Sequence, residues 1–247
     1  MKNNYYFNKS LENLYSGPTK KSEIVSQVLY GDRFKILNKT KDWIKIKLNY
    51  DNYIGYIKKR KFSTKFDPKF KVKSLKAKIY RLEKNKFSFQ GKYIYFGSRI
   101  SIKDKKKEFF EFEKNKWLKL KDIIKINYIE KDISKILKMF LNTKYFWGGR
   151  TCNGIDCSAL IQNYFYYNKI FCPRDTSDQF PFFKKNKKKF LKICKNLIFW
   201  KGHVAIKLNE KILIHAYGPR KKVLKMNIIK TIKKINLDTG LKPIYVK

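Results

Sequence analysis

From residue 11 to residue 62 apolar and polar positions alternate in short runs broken by turn residues, the pattern of half-buried strands. Ile24–Val28 leads into a turn at Tyr30-Gly31-Asp32, and Arg33–Leu37 follows. Trp43–Leu48 alternates with period two, and Asp51-Asn52 turns the chain into Tyr53–Ile57. Strands this short and closely spaced predict a small barrel. A second segment, residues 70–122, repeats this organisation. Lys71–Tyr80, Gly97–Lys103, Glu108–Glu113 and Lys116–Leu120 read as strands, with Pro68 in the linker before them. Residues 130–142 then change to a helical period, with Ile133, Ile136, Leu137 and Phe140 on one face. A second helical pattern runs from Cys157 to Asn168, its apolar stripe being Leu160, Ile161, Tyr164 and Phe165. Gly202–Leu208 and Lys211–Ala216 close the pattern as two strands of a hairpin, and the C-terminal part reads as an α+β unit.

Composition qualifies this picture in one respect. The 247 residues carry 60 Lys and Arg against 19 Asp and Glu, a net charge of +41. Charge of that size attracts anions and binds nucleic acid weakly and salt-dependently. Yet the lysines are spread along the whole chain, and Ile, Asn, Phe and Tyr abound while Ala and Gly are scarce, the signature of A/T-rich codons. The charge is therefore read as background, with no specific nucleic-acid partner expected. A hydrophobic share of 43% with 17% aromatics is enough to bury a core. No apolar run approaches the length of a membrane span, and Met1–Leu14 lacks the apolar stretch of a secretory signal, so a cytoplasmic monomer is expected. The four cysteines, Cys152, Cys157, Cys172 and Cys194, contain no CxxC pair; with His203 and His215 they offer poor zinc spacing, and no metal or other cofactor is expected.

Cys157 stands apart from the other thiols. It follows a glycine-bearing turn, Tyr145-Phe146-Trp147-Gly148-Gly149-Arg150, and the pair Ile155-Asp156, and so sits in the first turn of a helix. Free backbone N–H groups and the helix dipole there favour the thiolate and can hold an oxyanion. Read alone, Asp156 is an N-cap and Cys157 a small buried residue. The two histidines, the only ones in the chain, change that balance because both fall in the one hairpin. A two-residue loop at Asn209-Glu210 sets His203 opposite Ala216 and turns His215 to the other face; a three-residue loop at 208–210 sets His203 opposite His215. A thiol, an imidazole and a second polar group orienting that imidazole are the minimum apparatus of a cysteine hydrolase. That chemistry requires the second register, with His203 facing His215, or a bulge that restores it.

Tyr145-x-Trp147-Gly148-Gly149, Gly154-x-Asp156-Cys157-Ser158-x-Leu160, Gly202-His203-Val204 and His215-Ala216, in this order, resemble the NlpC/P60 cysteine peptidases. Pro173-Arg174-Asp175-Thr176-Ser177-Asp178-Gln179 resembles that family's arginine-aspartate-serine loop. Leu14–Pro18, Tyr30-Gly31-Asp32, Asp42-Trp43 and Asp51-x-Tyr53-x-Gly55-Tyr56 resemble bacterial SH3-like domains, and residues 70–122 resemble a second one more weakly. The resemblance implies an α+β, papain-like catalytic domain at 128–247, preceded by two small SH3-like β-barrels at 1–66 and 67–127. It implies Cys157 as nucleophile, His203 as base, His215 as its orienting residue and the Tyr145 hydroxyl as oxyanion support. Relatives with this arrangement are γ-D-glutamyl-L-diamino-acid endopeptidases acting on murein peptides with a free N-terminal L-Ala. For that alanine and its ammonium the resemblance points to Asp156, Ser158, Asp175, Thr176 and Ser177, with Trp147 nearby and Asp32 and Tyr53 from the SH3-like side.

The chain departs from the family pattern at Ala159, where a glycine is usual, a mild change inside a helix. It departs again at Cys194-Lys195-Asn196, which lacks the glycine-aspartate pair expected before the histidine strand and puts catalytic efficiency in question. Lys184–Lys189 reads as a solvated loop. The competing reading is a basic SH3-like protein that binds nucleic acid or cell wall and carries a weak or inactive hydrolase domain.

Overall fold

The structure, a computed structural model, describes residues 4–246. The chain divides between Ile129 and Glu130 into two compact units. No helix among the described residues is long and apolar enough to cross a membrane.

In the N-terminal unit, the strands Ile24–Leu29, Arg33–Lys39, Trp43–Leu48 and Ile54–Lys58 match the alternating runs of the sequence to within two residues. With Asn4–Tyr6 and Leu11–Tyr15 they form a six-stranded sheet over Phe7, Leu14, Val28, Phe34, Ile46 and Ile57. It is open, with Asn4–Tyr6 at one edge and Ile24–Leu29 at the other, rather than the closed barrel expected. Residues 70–125 form a three-stranded and a five-stranded sheet, also open. Here the alternation in sequence is a coarser guide. The run 71–80 breaks at a bend after Phe70–Val72 and resumes at Lys76–Glu83, and 97–103 keeps only Arg99-Ile100 as strand. The ten-residue strand Lys86–Tyr95 has no counterpart among the predicted elements: its side chains are mostly exposed, and Gly91 at φ +66° interrupts the alternation. A cavity of about 600 Å³ in this unit, lined by Tyr30, Ile79, Ile94, Phe112 and Glu113 among others, contains none of the cysteine or histidine side chains.

The C-terminal unit is built on a five-stranded antiparallel sheet in the order Lys222–Asn227, Ile212–Tyr217, His203–Lys207, Leu197–Trp200 and Ile244-Tyr245. Helices α1 (Ile133–Met139), α2 (Cys157–Tyr167), α3 (Thr176–Lys185), α4 (Leu191–Cys194) and α5 (Ile228–Thr239) complete it. Asp132 caps α1 by accepting from the Ser134 N–H, and Ile136, Leu137 and Phe140 are buried as their spacing requires. All eleven residues of α2 are buried, not only the predicted stripe, because it packs on α1 and on the strands of both histidines. Its polar residues find partners: Asn163 Nδ2 donates to the Arg150 carbonyl, and Gln162 Nε2 to that of Cys172. Of the lysine run, Lys184 and Lys185 form the last turn of α3, where cations suit the helix C-terminus, and the next residues make the loop.

The hairpin register differs from both expected alternatives. Ile206 pairs with Ile214 and Lys207 with Leu213, so that the loop is Asn209–Lys211, one position beyond the three-residue loop at 208–210. The Asn209 side chain causes the shift: its Oδ1 accepts from the N–H groups of Lys211 and Ile212 and so closes the turn itself. His203 is set diagonally to His215 on the same face, and the two rings still meet.

Candidate active site

The N-terminus of α2 is assembled by a carboxylate and a glycine turn. Asp156, in extended conformation, caps the helix by accepting from the Ala159 N–H at 2.8 Å. Its other oxygen accepts from the Gly148 N–H at 2.9 Å. Gly148 lies at φ +75°, in the left-handed region open to glycine. A Cβ on Gly149 would meet the Gly154 carbonyl oxygen at 2.4 Å, so the turn can close on the Arg150-Thr151/Gly154-Ile155 hairpin only as glycine. Arg174 reaches the same carboxylate with both guanidinium arms, Nη1 to Oδ1 at 3.0 Å and Nη2 to Oδ2 at 2.5 Å. Arg174 Nη1 also donates to Ser158 Oγ at 2.9 Å, and Ser158 Oγ donates to Asp156 Oδ1. Asp156, Ser158 and Arg174 are all buried, so this is a desolvated, bidentate ion pair with its hydrogen bonds made. Gln179 of α3 donates to the carbonyls of Ser158 and Pro173 and locks the Arg174 segment onto α2.

Cys157, the first residue of α2, is 3% exposed. Its Sγ lies 3.9 Å from the Gly202 carbonyl oxygen and takes a hydrogen bond from the Val204 backbone, so the thiol is held against the chain on both sides of His203. Burial and the neighbouring Asp156 carboxylate push the thiol up to about 12, and the Val204 N–H, Arg174 and the Ser158 N–H only partly oppose them. This corrects the sequence expectation of a lowered pKa. The helix terminus does favour a thiolate, but desolvation of a buried sulfur outweighs it, and the carboxylate that caps the helix adds to the penalty.

The imidazoles form a file. His203 Nε2 lies 2.9 Å from His215 Nδ1, and His215 Nε2 lies 3.3 Å from Met226 Sδ. His203 is half-buried and packed against Trp200 and Tyr217, with ring centroids at 5.6 and 5.8 Å. His215 has no exposed surface and stacks on Tyr217 at 4.7 Å and 10°. Burial pushes His203 down to about 4; burial and then the His203 charge push His215 down to about 3. At neutral pH both rings are uncharged. The Tyr145 hydroxyl is pushed up, first by burial, then by Cys157 and Asp156, which locates it beside the thiol.

Of the residues singled out in the sequence, Cys157, His203, His215, Tyr145, Asp156 and Ser158 come together here. Asp175 begins α3 as its N-cap, with Thr176 half-buried and Ser177 exposed just after it. Trp147 projects from the glycine turn and is 56% exposed. Asp32 and Tyr53 belong to the N-terminal unit: buried Asp32 accepts from the Leu29 N–H at 2.8 Å, and Tyr53 packs on that unit's core. The sequence pattern assigns no role to Arg174, Gln179, Tyr217 or Met226. Arg174 and Gln179 stand inside the loop motif, where the charge of Arg174 could be paired with Asp156; Tyr217 and Met226 carry no local signal.

Residues 142–236 match the NlpC/P60 family and residues 9–62 match the bacterial SH3 domain. A stretch of 79 residues is 33% identical to dipeptidyl-peptidase 6 of Lysinibacillus sphaericus, covering 31% of this chain and 28% of that enzyme, so the chain spans under a third of this curated relative. The fold is similar to the crystal structure of an NlpC/P60 family protein from Bacillus cereus (TM-score 0.71, 18% identity, 91% of this chain and 94% of that one). It is also similar to an NlpC/P60 endopeptidase from Photobacterium damselae subsp. piscicida (TM-score 0.63, 12% identity, 99% and 70%). Members of the NlpC/P60 family are cysteine peptidases.

Proposed function

We propose that this chain, an NlpC/P60 domain preceded by a bacterial SH3 domain, is a cysteine endopeptidase that cleaves the γ-D-Glu–diamino-acid bond of murein peptides with a free N-terminal L-Ala. The observation that carries the reading is a thiol at a helix N-terminus, held against the backbone on both sides of His203, with Nε2 of His203 on His215. Nε2 of His203 is committed to His215, which leaves Nδ1 to serve the thiol.

The resting pair is a neutral thiol and a neutral imidazole, so the reaction begins with proton transfer. As Sγ of Cys157 attacks the γ-amide carbonyl carbon, its proton passes to Nδ1 of His203. The negative charge moves to the carbonyl oxygen, where the Tyr145 hydroxyl and backbone N–H groups of the α2 terminus can donate to it. The imidazolium then protonates the departing amine, and a thioester to Cys157 remains. His203 takes a proton from water, the hydroxide oxygen adds to the thioester carbonyl, and the thiol leaves with the proton back on sulfur.

For the substrate's amino end the candidates are Asp156 and Ser158 at the start of α2 and Asp175, Thr176 and Ser177 at the start of α3, Asp156 being paired with Arg174. Trp147 supplies an exposed apolar wall next to the glycine turn. The test is an assay of purified protein on L-Ala-γ-D-Glu-diaminopimelate. Cleavage between D-Glu and the diamino acid is expected, lost in Cys157→Ala and sharply reduced when the alanine amine is acetylated. Cleavage that survives Cys157→Ala sinks the mechanism; equal turnover of free and acetylated peptides sinks the specificity.

A further inference from the structure

The line His203–His215–Met226 crosses three adjacent strands. In the register of the sheet each member lies diagonally to the next on one face: Leu213 pairs with Met226 and Ile206 with Ile214. Met226 packs into the cluster formed by Ile198, Trp200, Ala205, Leu213, Tyr217 and Ile235, which fixes its side chain. A thioether has lone pairs and no hydrogen to give. At 3.3 Å from Met226 Sδ, Nε2 of fully buried His215 makes a hydrogen bond only if it carries the proton.

That requirement propagates. A neutral imidazole protonated on Nε2 has its lone pair on Nδ1. His215 Nδ1 then accepts, so His203 Nε2 must be the donor of the 2.9 Å bond between the rings. A neutral His203 protonated on Nε2 keeps Nδ1 as a free lone pair. We propose that Met226 is a positioning residue: by accepting from His215 Nε2–H, its sulfur holds both rings in the tautomer that leaves His203 Nδ1 deprotonated for the thiol. The inference rests on the thiol–imidazole reading above and names what sets the proton positions it needs.

The opposite arrangement shows why an acceptor matters. With the shared proton on His215 Nδ1, His203 would present Nδ1–H to the thiol and could not act as base. His215 Nε2 would then face the sulfur lone pair to lone pair. The favoured arrangement also serves the charged state. When His203 takes the thiol proton, its Nε2–H still donates to His215 Nδ1, and no proton on His215 has to move. The depressed pKa of both rings fits this picture, since each is neutral and must choose one tautomer.

The chain has two histidines, so their four ring nitrogens can be read individually by long-range proton–nitrogen correlation on the intact 15N-labelled protein, without substrate. The expected result is Nε2–H on both rings. In Met226→Leu, which keeps the volume and removes the acceptor, the Nδ1–H form of His203 becomes populated. On the murein tripeptide its kcat falls about tenfold while KM changes by less than about twofold. In Met226→Gln the amide oxygen takes over as acceptor and returns kcat to within about threefold of the parent. A parent spectrum with Nδ1–H on His203, or a Leu variant with unchanged tautomers and unchanged kcat, overturns the proposal. Should Met226→Leu fail to fold, the parent spectrum alone still decides it. If the tautomers are as stated and the parent cleaves no murein peptide, the proposed function fails and the tautomer assignment stands.

Discussion

On one side of the α2 N-terminus, the Asp156 carboxylate takes hydrogen bonds from two backbone N–H groups, a serine hydroxyl and both arms of a buried arginine. On the other side, the imidazole of His203 meets one partner nitrogen and two aromatic rings, and its partner's far nitrogen ends on a sulfur. The carboxylate is over-determined: any one donor can be lost and the rest still hold it. The imidazole file is under-determined, because each contact specifies the next. The first region fixes where the Cys157 thiol sits. The second sets which proton can move. Substitutions should therefore cost stability in the first and turnover in the second.

The largest expected effect bridges the two. Cys157→Ala should lower kcat by about 10⁴-fold while leaving the unfolding free energy within about 1 kcal/mol of the parent, since the thiol behaves in the fold as a small buried apolar group. A large loss of stability in urea would mean the thiol belongs to the structural side. Next comes Asp156→Ala, which strands the Arg174 guanidinium in a buried site and removes the α2 cap. It should cost about 3–5 kcal/mol, read from urea unfolding. A cost under about 1 kcal/mol would show that the network does not anchor the helix.

Acid should probe the imidazole side. Both histidines have folded pKa values depressed below the ordinary 6.5, so the unfolded chain binds more protons between pH 6.5 and about 4. Their contribution to stability is complete above about pH 6.5 and is lost as pH falls through that window, about 3 kcal/mol for His203 alone at the shift described. Unfolding free energy measured from pH 7 to pH 4 should fall across this window and fall about half as steeply in His203→Gln, where only His215 still gains a proton on unfolding; an equal slope in the variant would refute the assignment. The smallest effect is His215→Gln, where an amide still orients His203 but cannot mirror its tautomer. About a tenfold loss in kcat is expected, with stability nearly unchanged.

What is legible in the sequence follows the same division. The glycine turn, the Asp156 cap and the helical period after Cys157 are local signals, and they locate the thiol and its helix. The two strands carrying His203 and His215 are equally plain from alternation. The hairpin register is not, because it turns on one Asn209 side chain closing the loop, a contact worth no more than neighbouring alternatives. The thiol pKa is hidden for a different reason. A helix terminus is visible in sequence, whereas complete burial of the sulfur depends on strands some 45 residues away, at Gly202 and Val204. Met226 and Tyr217 reach the imidazoles only through the order of strands in the sheet, and nothing in their neighbours marks them. In the N-terminal unit the strands of residues 24–58 are readable, but Lys86–Tyr95 is not, since an exposed strand interrupted by a left-handed glycine has no apolar face to announce it.

The complete burial of α2 has a consequence for handling the protein. Each of its eleven side chains is covered, so the helix has no solvated face on which to persist once the sheet and α1 come away. The setting of the Cys157 thiol and the tertiary core thus form and vanish together. Opening of the sheet therefore removes the Gly202 and Val204 backbone from Cys157 and unwinds the helix that carries it in one event. Loss of helix signal on heating or in urea should then coincide with loss of the sheet, with no stage at which α2 survives alone.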